Sequence, residues 1–270
     1  MPYWHDKICL VTGGSAGLGR AIAAALAERG ARVVLVARGQ LPLDDAAREI
    51  TARGGGRATP LAADITIQAD VERIAATVAA EFGRLDFLCN CAGRSARGAV
   101  LDATPEDFEQ LLDVNLLAMV RMTRALAPLL LASRGHLVNI GSLASKTAAP
   151  FLGAYPASKH AAAAYTQQLR LELEPRGLHV LHVCPGPIAR DDAGGRYAET
   201  ASTIPAAAQA PGGGARVKAI PPDKLAADIL AACQRRRPEL VVPAKARLLF
   251  AIAQLSARWG DWLLRRSMNQ

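Results

Sequence analysis

Aromatic residues are scarce, at 4% of 270 positions. No uninterrupted apolar run reaches the roughly 18 residues a membrane-crossing helix needs. The opening stretch MPYWHDKICLV has neither the basic start, the long apolar segment nor the small-residue cleavage site of a secretory signal. Five cysteines are an odd and sparse set, which argues against a disulfide framework and for a reducing, cytoplasmic setting. No zinc-finger, homeodomain or RNP-type pattern occurs, so a nucleic-acid partner is not expected. The G-x-S-x-G elbow of a Ser-His-Asp hydrolase is also missing. What is present is 51% hydrophobic and 21% charged residues. That is too apolar for a disordered chain and ample for a buried core.

Charge is unevenly spread. The net charge is +8, and from Gln234 onward eight basic residues face only Glu239 and Asp261, so the tail holds six of those charges. The high isoelectric point therefore describes one end of the chain, not a basic surface over the whole molecule.

Before the tail, short β-branched runs alternate with longer Ala/Leu-rich helical stretches, the pattern of βαβ units and a parallel sheet. Strands are expected at about 7–12, 32–37, 58–63, 85–90, 135–141, 178–184 and 239–242. Val71, Ile74, Val78 and Phe82 recur at helical spacing and predict a helix facing the sheet. Gly54-Gly55-Gly56 reads as a helix end. Residues 190–218 are rich in Ala, Gly and Pro without a clear period, as expected of a lid. The segment 244–266 carries one long helical pattern. The domain reading is one unit over 1–243, with the lid inside it and a basic amphipathic tail over 244–270.

Thr12-Gly13-Gly14-Ser15-Ala16-Gly17-Leu18-Gly19 follows the first strand and opens a helix. Glycines there allow a tight turn and bring backbone close to a pyrophosphate at the positive helix end. An ordinary strand–helix turn is the bland alternative. The second strand ends Val36-Ala37-Arg38, with Ala37 where an NAD-preferring protein places an acid. Arg38 offers a fork suited to a 2′-phosphate, unless it is simply a solvated surface arginine. Tyr155-Pro156-Ala157-Ser158-Lys159 sets a phenol and an ammonium at i and i+4, on one helix face. A nearby ammonium favours the phenolate and suits the tyrosine to proton transfer.

Together with Asn90-Cys91-Ala92-Gly93, Asn115, Ser142 and Pro185-Gly186, these motifs come in an order and spacing that resemble the short-chain dehydrogenase/reductase family over roughly residues 6–243. The resemblance implies an α/β fold: a Rossmann-type doubly wound parallel sheet of about seven strands with helices on both faces, here extended by a C-terminal amphipathic helix. It implies hydride transfer between NADP(H), preferred over NAD(H), and an alcohol or carbonyl substrate. Tyr155 is the implied acid/base. Lys159 lowers its pKa and binds the nicotinamide ribose, Ser142 bonds the substrate oxygen, and Asn115 holds a water leading from Lys159 to solvent. Gly13, Ser15, Gly17, Leu18 and Gly19 surround the phosphates. Asp64 contacts adenine, Asn90, Ala92 and Gly93 line the adenosine side, and Pro185, Gly186 and Ile188 support the nicotinamide. The chain departs from the family at Cys91, where a second asparagine is usual, and at Arg190, where threonine is usual.

Other polar residues read more plainly. Cys89 and Cys91 alternate on a strand without a second ligand pair, which does not favour zinc. His179 and His182 lie three apart on a strand, point to opposite faces and suit packing or solvent. A non-catalytic nucleotide-sensing or scaffolding protein of the same fold is the alternative function, whose signature is loss of Tyr, Lys or Ser from the constellation. Leu143, Ala144, Ala148, Ala149, Phe151 and Leu152 suggest an uncharged pocket suited to small or lipophilic ketones. Homo-oligomeric assembly is expected. In the tail, Leu248, Ile252, Leu255, Trp259 and Trp262 form one stripe with a basic back. That stripe suits either peripheral contact with an anionic membrane or docking on the chain's own pocket or a neighbouring subunit.

Overall fold

The computed structural model describes residues 2–189 and 218–267. Seven strands form one parallel sheet: β1 (Ile8–Thr12), β2 (Arg32–Ala37), β3 (Arg57–Ala62), β4 (Phe87–Asn90), β5 (His136–Ile140), β6 (His179–Pro185) and β7 (Glu239–Val242). Their spatial order is β3-β2-β1-β4-β5-β6-β7. Each falls where the β-branched runs predict, within two residues at either end.

Because strand side chains alternate between faces, each strand feeds two cores. Val11, Leu35, Phe87, Val138 and Leu181 point to one face. There they pack against α1 (Gly17–Ala27), α2 (Gln40–Ala52) and, later in the chain, α7 (Pro222–Gln234). Leu10, Val34, Leu88, Leu137 and Val180 point to the other. They meet α3 (Gln68–Phe82), α5 (Ala118–Ala132) and α6 (Tyr155–Leu173). In α3, Val71, Ile74 and Val78 are fully buried and Phe82 packs at their edge, the face their spacing predicts.

α4 (Pro105–Leu112) runs through a π-helical turn at Asp113–Leu117 into α5. This continuous stretch, 105–132, is long and apolar enough to cross a membrane by length and composition. Met122, Leu126 and Leu130 are nevertheless wholly buried against the sheet, as in a core helix.

The tail differs from the single helix its pattern predicts. It breaks at Ser256, whose backbone is extended (φ −155°, ψ 115°), into α8 (Ala246–Leu255) and α9 (Ala257–Ser267). Ser256 acts as an N-cap, its Oγ accepting the Trp259 N–H at 3.4 Å. The two helices fold back on one another at Gly260, where a Cβ would sit 2.7 Å from Ala253 Cα. Phe250 and Leu249 then pack on Leu143, Cys184 and Val241 of the body.

Candidate functional site

The strand order reverses between β1 and β4, and the loops leaving their C-terminal ends diverge there. Ligands of doubly wound sheets bind in the crevice so created. Here it opens into a cavity of about 1500 Å³ that runs from Arg38 to Phe250.

At one end lies the glycine loop. Gly13 and Gly17 both have positive φ (+70° and +52°), so the turn needs glycine at each. A Cβ on Gly19 would fall inside the Gly13 carbonyl, which explains why the first turn of α1 can lie so close to the loop. Thr12 fixes the neighbouring loop, its hydroxyl accepting the Cys91 and Ala92 N–H groups at 3.0 and 3.1 Å. Ser15, Leu18, Ala92 and Gly93 line this part of the cavity. Arg38 is exposed at the end of β2 and also lines it. Among the described residues no carboxylate pairs with Arg38, whereas Arg20 and Arg53 are both engaged by Glu49. Asp64 lies on the wall beside it, held by the Thr66 N–H and hydroxyl at 2.9 and 2.7 Å.

Tyr155 and Lys159 stand one turn apart at the start of α6, the ammonium 5.9 Å from the centre of the phenol ring. Lys159 is buried and donates to the Ile140 carbonyl at 2.9 Å. Burial pushes its amine down to about 8. Ser142 begins the turn after β5, its Oγ accepting the Ala144 N–H at 3.1 Å, so its own proton is available to donate. Pro185 ends β6, and Gly186 and Ile188 follow it along the wall. Gly186 is tied to Val242 O at 2.7 Å, and Ile188 bridges to Ile220.

Asn115 sits in the π-turn with its side chain fully engaged. It accepts from Arg94 N (2.9 Å) and donates to Arg94 O (2.8 Å) and Ser158 Oγ (3.0 Å). Gly93 is what lets these groups crowd together, since a Cβ there would lie 2.8 Å from Asn115 Oδ1 and 3.6 Å from Lys159 Nζ.

One expected contact turns inward. Asn90 does not line the cavity; its buried amide donates to Asn139 Oδ1 at 2.9 Å and Thr123 Oγ1 at 3.3 Å. Asn139 in turn donates to Thr166 Oγ1 on α6 at 3.0 Å. The network ties β4 and β5 to the helix bearing Tyr155. Its signal in the sequence is two asparagines, Asn90 and Asn139, among the apolar residues of β4 and β5.

The rest of the cavity lining is less uniform than residues 143–154 suggest. Leu143, Ala149 and Leu152 line it, but so do Arg94, Asp102, Asp113 and Lys245. The tail contributes Leu249, Phe250 and Leu264. The expected lid over 190–218, Arg190 included, lies outside the described residues except for Lys218.

At the opposite end of the sheet, parallel register sets His136 beside His179. Their Nδ1 atoms are 2.8 Å apart. Tyr3 OH bonds His136 Nε2 at 2.7 Å, and His179 Nε2 donates to Arg237 O at 2.8 Å. Cys233 lies within 4.8 Å of both rings' ligand atoms. Spacing along the chain hides this trio, because its members come from two strands and a helix; matching the first residues of β5 and β6 reveals the pair.

A switch-point crevice with a glycine loop at a helix N-terminus on one side, and a lysine-backed tyrosine on the other, defines a dinucleotide-binding protein of the Rossmann type. The family model for short chain dehydrogenases matches residues 7–199, and the chain belongs to that family. It is 33% identical over 263 residues to the probable oxidoreductase EphD of Mycobacterium tuberculosis, a match covering 94% of this chain and 44% of EphD. The chain thus spans less than half of that relative's length. Among solved structures it resembles the L-sorbose reductase of Gluconobacter frateurii, complexed with NADPH and L-sorbose, with 25% identity and a TM-score of 0.78 over 88% of this chain and 95% of the reductase. A metagenomic short-chain oxidoreductase in complex with NADP is 32% identical, with a TM-score of 0.72 over 88% of this chain and 98% of that protein.

Proposed function

We propose that this chain is an NADP(H)-dependent oxidoreductase acting on an alcohol/carbonyl pair, of which a small or lipophilic ketone is the oxidised member. The observation that carries the reading is the pairing of Tyr155 with a buried Lys159 on one cavity wall, beside Ser142. Retention of all three side chains speaks against a merely scaffolding role.

The cradle formed by Gly13, Ser15, Gly17, Leu18 and Gly19 suits a pyrophosphate, with Ala92 and Gly93 behind it and Asp64 toward the adenine. Arg38 suits a 2′-phosphate, in keeping with the NADPH and NADP bound by the two proteins of known structure. Pro185, Gly186 and Ile188 back the nicotinamide. When bound, the cofactor supplies or accepts the hydride.

The chain's own residues handle the proton. In reduction the Tyr155 hydroxyl gives its proton to the carbonyl oxygen, and in oxidation the phenolate takes it back. The Ser142 hydroxyl donates a hydrogen bond to the same oxygen. The charged Lys159 favours the phenolate and binds ribose hydroxyls. Asn115 is assigned the water that connects Lys159 to solvent. Leu143, Ala149, Leu152 and the tail's Phe250 offer an apolar rest for the substrate body. Cytoplasmic location and homo-oligomeric assembly belong to the same reading.

The test follows NADPH absorbance against a panel of acyl-thioester ketones, long-chain ketones, steroids and sugars. Tyr155→Phe keeps the ring but removes the proton, so turnover on the best substrate is expected to fall at least about 100-fold while NADPH still binds. Near-normal turnover by that variant would refute the mechanism.

A further inference from the structure

The tail hairpin has two apolar sides, and the body covers one of them. Leu249, Phe250 and Ala246 of α8 face inward, where they pack near Cys184 and Val241 and line the cavity wall. Outward, Leu248 is 69% exposed, Leu255 87%, Trp259 62% and Trp262 49%. With the break at Ser256, four of the five predicted stripe residues are exposed and Ile252 is half-buried, and a different set of residues does the docking. The two tryptophans stand edge to face, 6.1 Å apart, and the Arg266 guanidinium lies 5.4 Å from the Trp262 ring centre.

We infer that this outer face of the hairpin seats the protein on an anionic lipid surface. Exposed leucines, two tryptophans and flanking cations are what an interfacial helix presents to headgroups, with the ring bodies apolar and the indole N–H groups wet. Charge decides the occupant. Arg258, Arg265 and Arg266 are exposed on α9 and Asp261 is its one acid, whereas Lys245 lines the cavity and Arg247 bonds the Glu239 carbonyl of the body. A second copy docking through the same face would bring like charges together, because a two-fold contact is self-complementary. An anionic bilayer matches them, each basic residue adding attraction that salt screens. Since the hairpin's inner side lines the cavity, the membrane face and the cavity wall are two sides of one element. The inference stands apart from the oxidoreductase reading, and its test needs no turnover.

The experiment is co-sedimentation of the full chain with phosphatidylglycerol/phosphatidylcholine vesicles and with pure phosphatidylcholine vesicles, at low and high salt. Two variants change only exposed side chains: Trp259→Ser/Trp262→Ser and Arg258→Glu/Arg265→Glu. The wild type is expected to pellet with anionic vesicles at low salt, to release at high salt and to stay in solution with neutral ones. Each double variant is expected to lose at least about tenfold in partitioning. Wild type that remains in the supernatant on anionic vesicles overturns the inference, as does equal pelleting on both lipids or undiminished binding by both variants. A vesicle-free dimer that the tryptophan variant dissociates assigns the face to a second copy and overturns it too.

Discussion

Two cations of the cavity wall, Arg38 and Lys159, have different surroundings. Arg38 is exposed and, among the described residues, without a carboxylate partner. Its fork stays available for a ligand phosphate. A charge-assisted contact of this kind contributes about 1.5–3 kcal/mol, or roughly ten- to a hundredfold in affinity. Arg38→Ala is therefore expected to weaken NADPH by that factor and leave NADH nearly unchanged, as read by titrating both cofactors into both proteins. Equal affinities in the wild type would remove the basis for the preference. Lys159 is the opposite case, a buried amine whose pKa burial lowers to about 8. Below that pH it is an ammonium, and as pH rises through about 8 it loses the charge assigned to phenol and ribose. NADPH affinity is expected to decline between about pH 7 and 9.5 in the wild type. Lys159→Met is expected to bind weakly and without that decline. A flat wild-type profile would separate the lysine's charge from cofactor binding.

The elements were far more legible than the joints between them. β2 and β7 lie on the residues their β-branched runs mark, and α3 buries the face its period predicts, because hydrophobic alternation is a local property. The joints depend on tertiary contact. The π-turn at Asp113–Leu117 is invisible to a 3.6-residue period, yet it sets Asn115 against Arg94 and Ser158. The 244–266 pattern runs straight through Ser256, whose capping role is visible only once the helix folds back on Gly260. Asn90 reads as a cavity residue from its motif, while its amide serves β5. The glycine loop lies between these extremes, since its spacing is local but its reason is contact. A methyl on Gly19 must displace the Gly13 backbone, which no side-chain rotation can relieve. Gly19→Ala is expected to lower NADPH affinity at least about tenfold by moving the loop off the helix end. Titration of the folded variant measures this, and unchanged affinity would show that the loop does not hold the phosphates.

At the scale of the whole molecule, acid acts on the histidines buried along β5 and β6. Burial is the main cause of low pKa at His136, down to about 3, and at His182, down to about 4, and it also lowers His179. His179 Nε2 must donate to the Arg237 carbonyl, so a neutral His179 accepts at Nδ1 from His136, and His136 accepts at Nε2 from Tyr3. Each neutral ring thus fixes its neighbour's tautomer, and a proton added to the pair would turn Tyr3 from donor to acceptor and leave a charge buried between the strands. His182 is packed against Gly141, where a Cβ would meet its ring. Its two nitrogens are buried without a hydrogen-bond partner among the described residues. In the unfolded chain these histidines return to about 6.5. Below that pH the unfolded state binds more protons than the folded one, so stability present above about 6.5 is lost as pH falls toward the folded values. Once the unfolded rings are protonated, the slope approaches about 1.4 kcal/mol per pH unit for each histidine. Urea unfolding at pH 7.5, 6.5, 5.5 and 5, above the range where most carboxylates titrate, is expected to show this decline. His136→Phe cannot take up a proton in either state and is expected to be less stable at pH 7.5 but to decline less steeply with acid. If the wild type keeps the same stability from pH 7.5 to 5, the buried histidines are not held neutral and the proton order along the chain from Tyr3 to Arg237 is wrong.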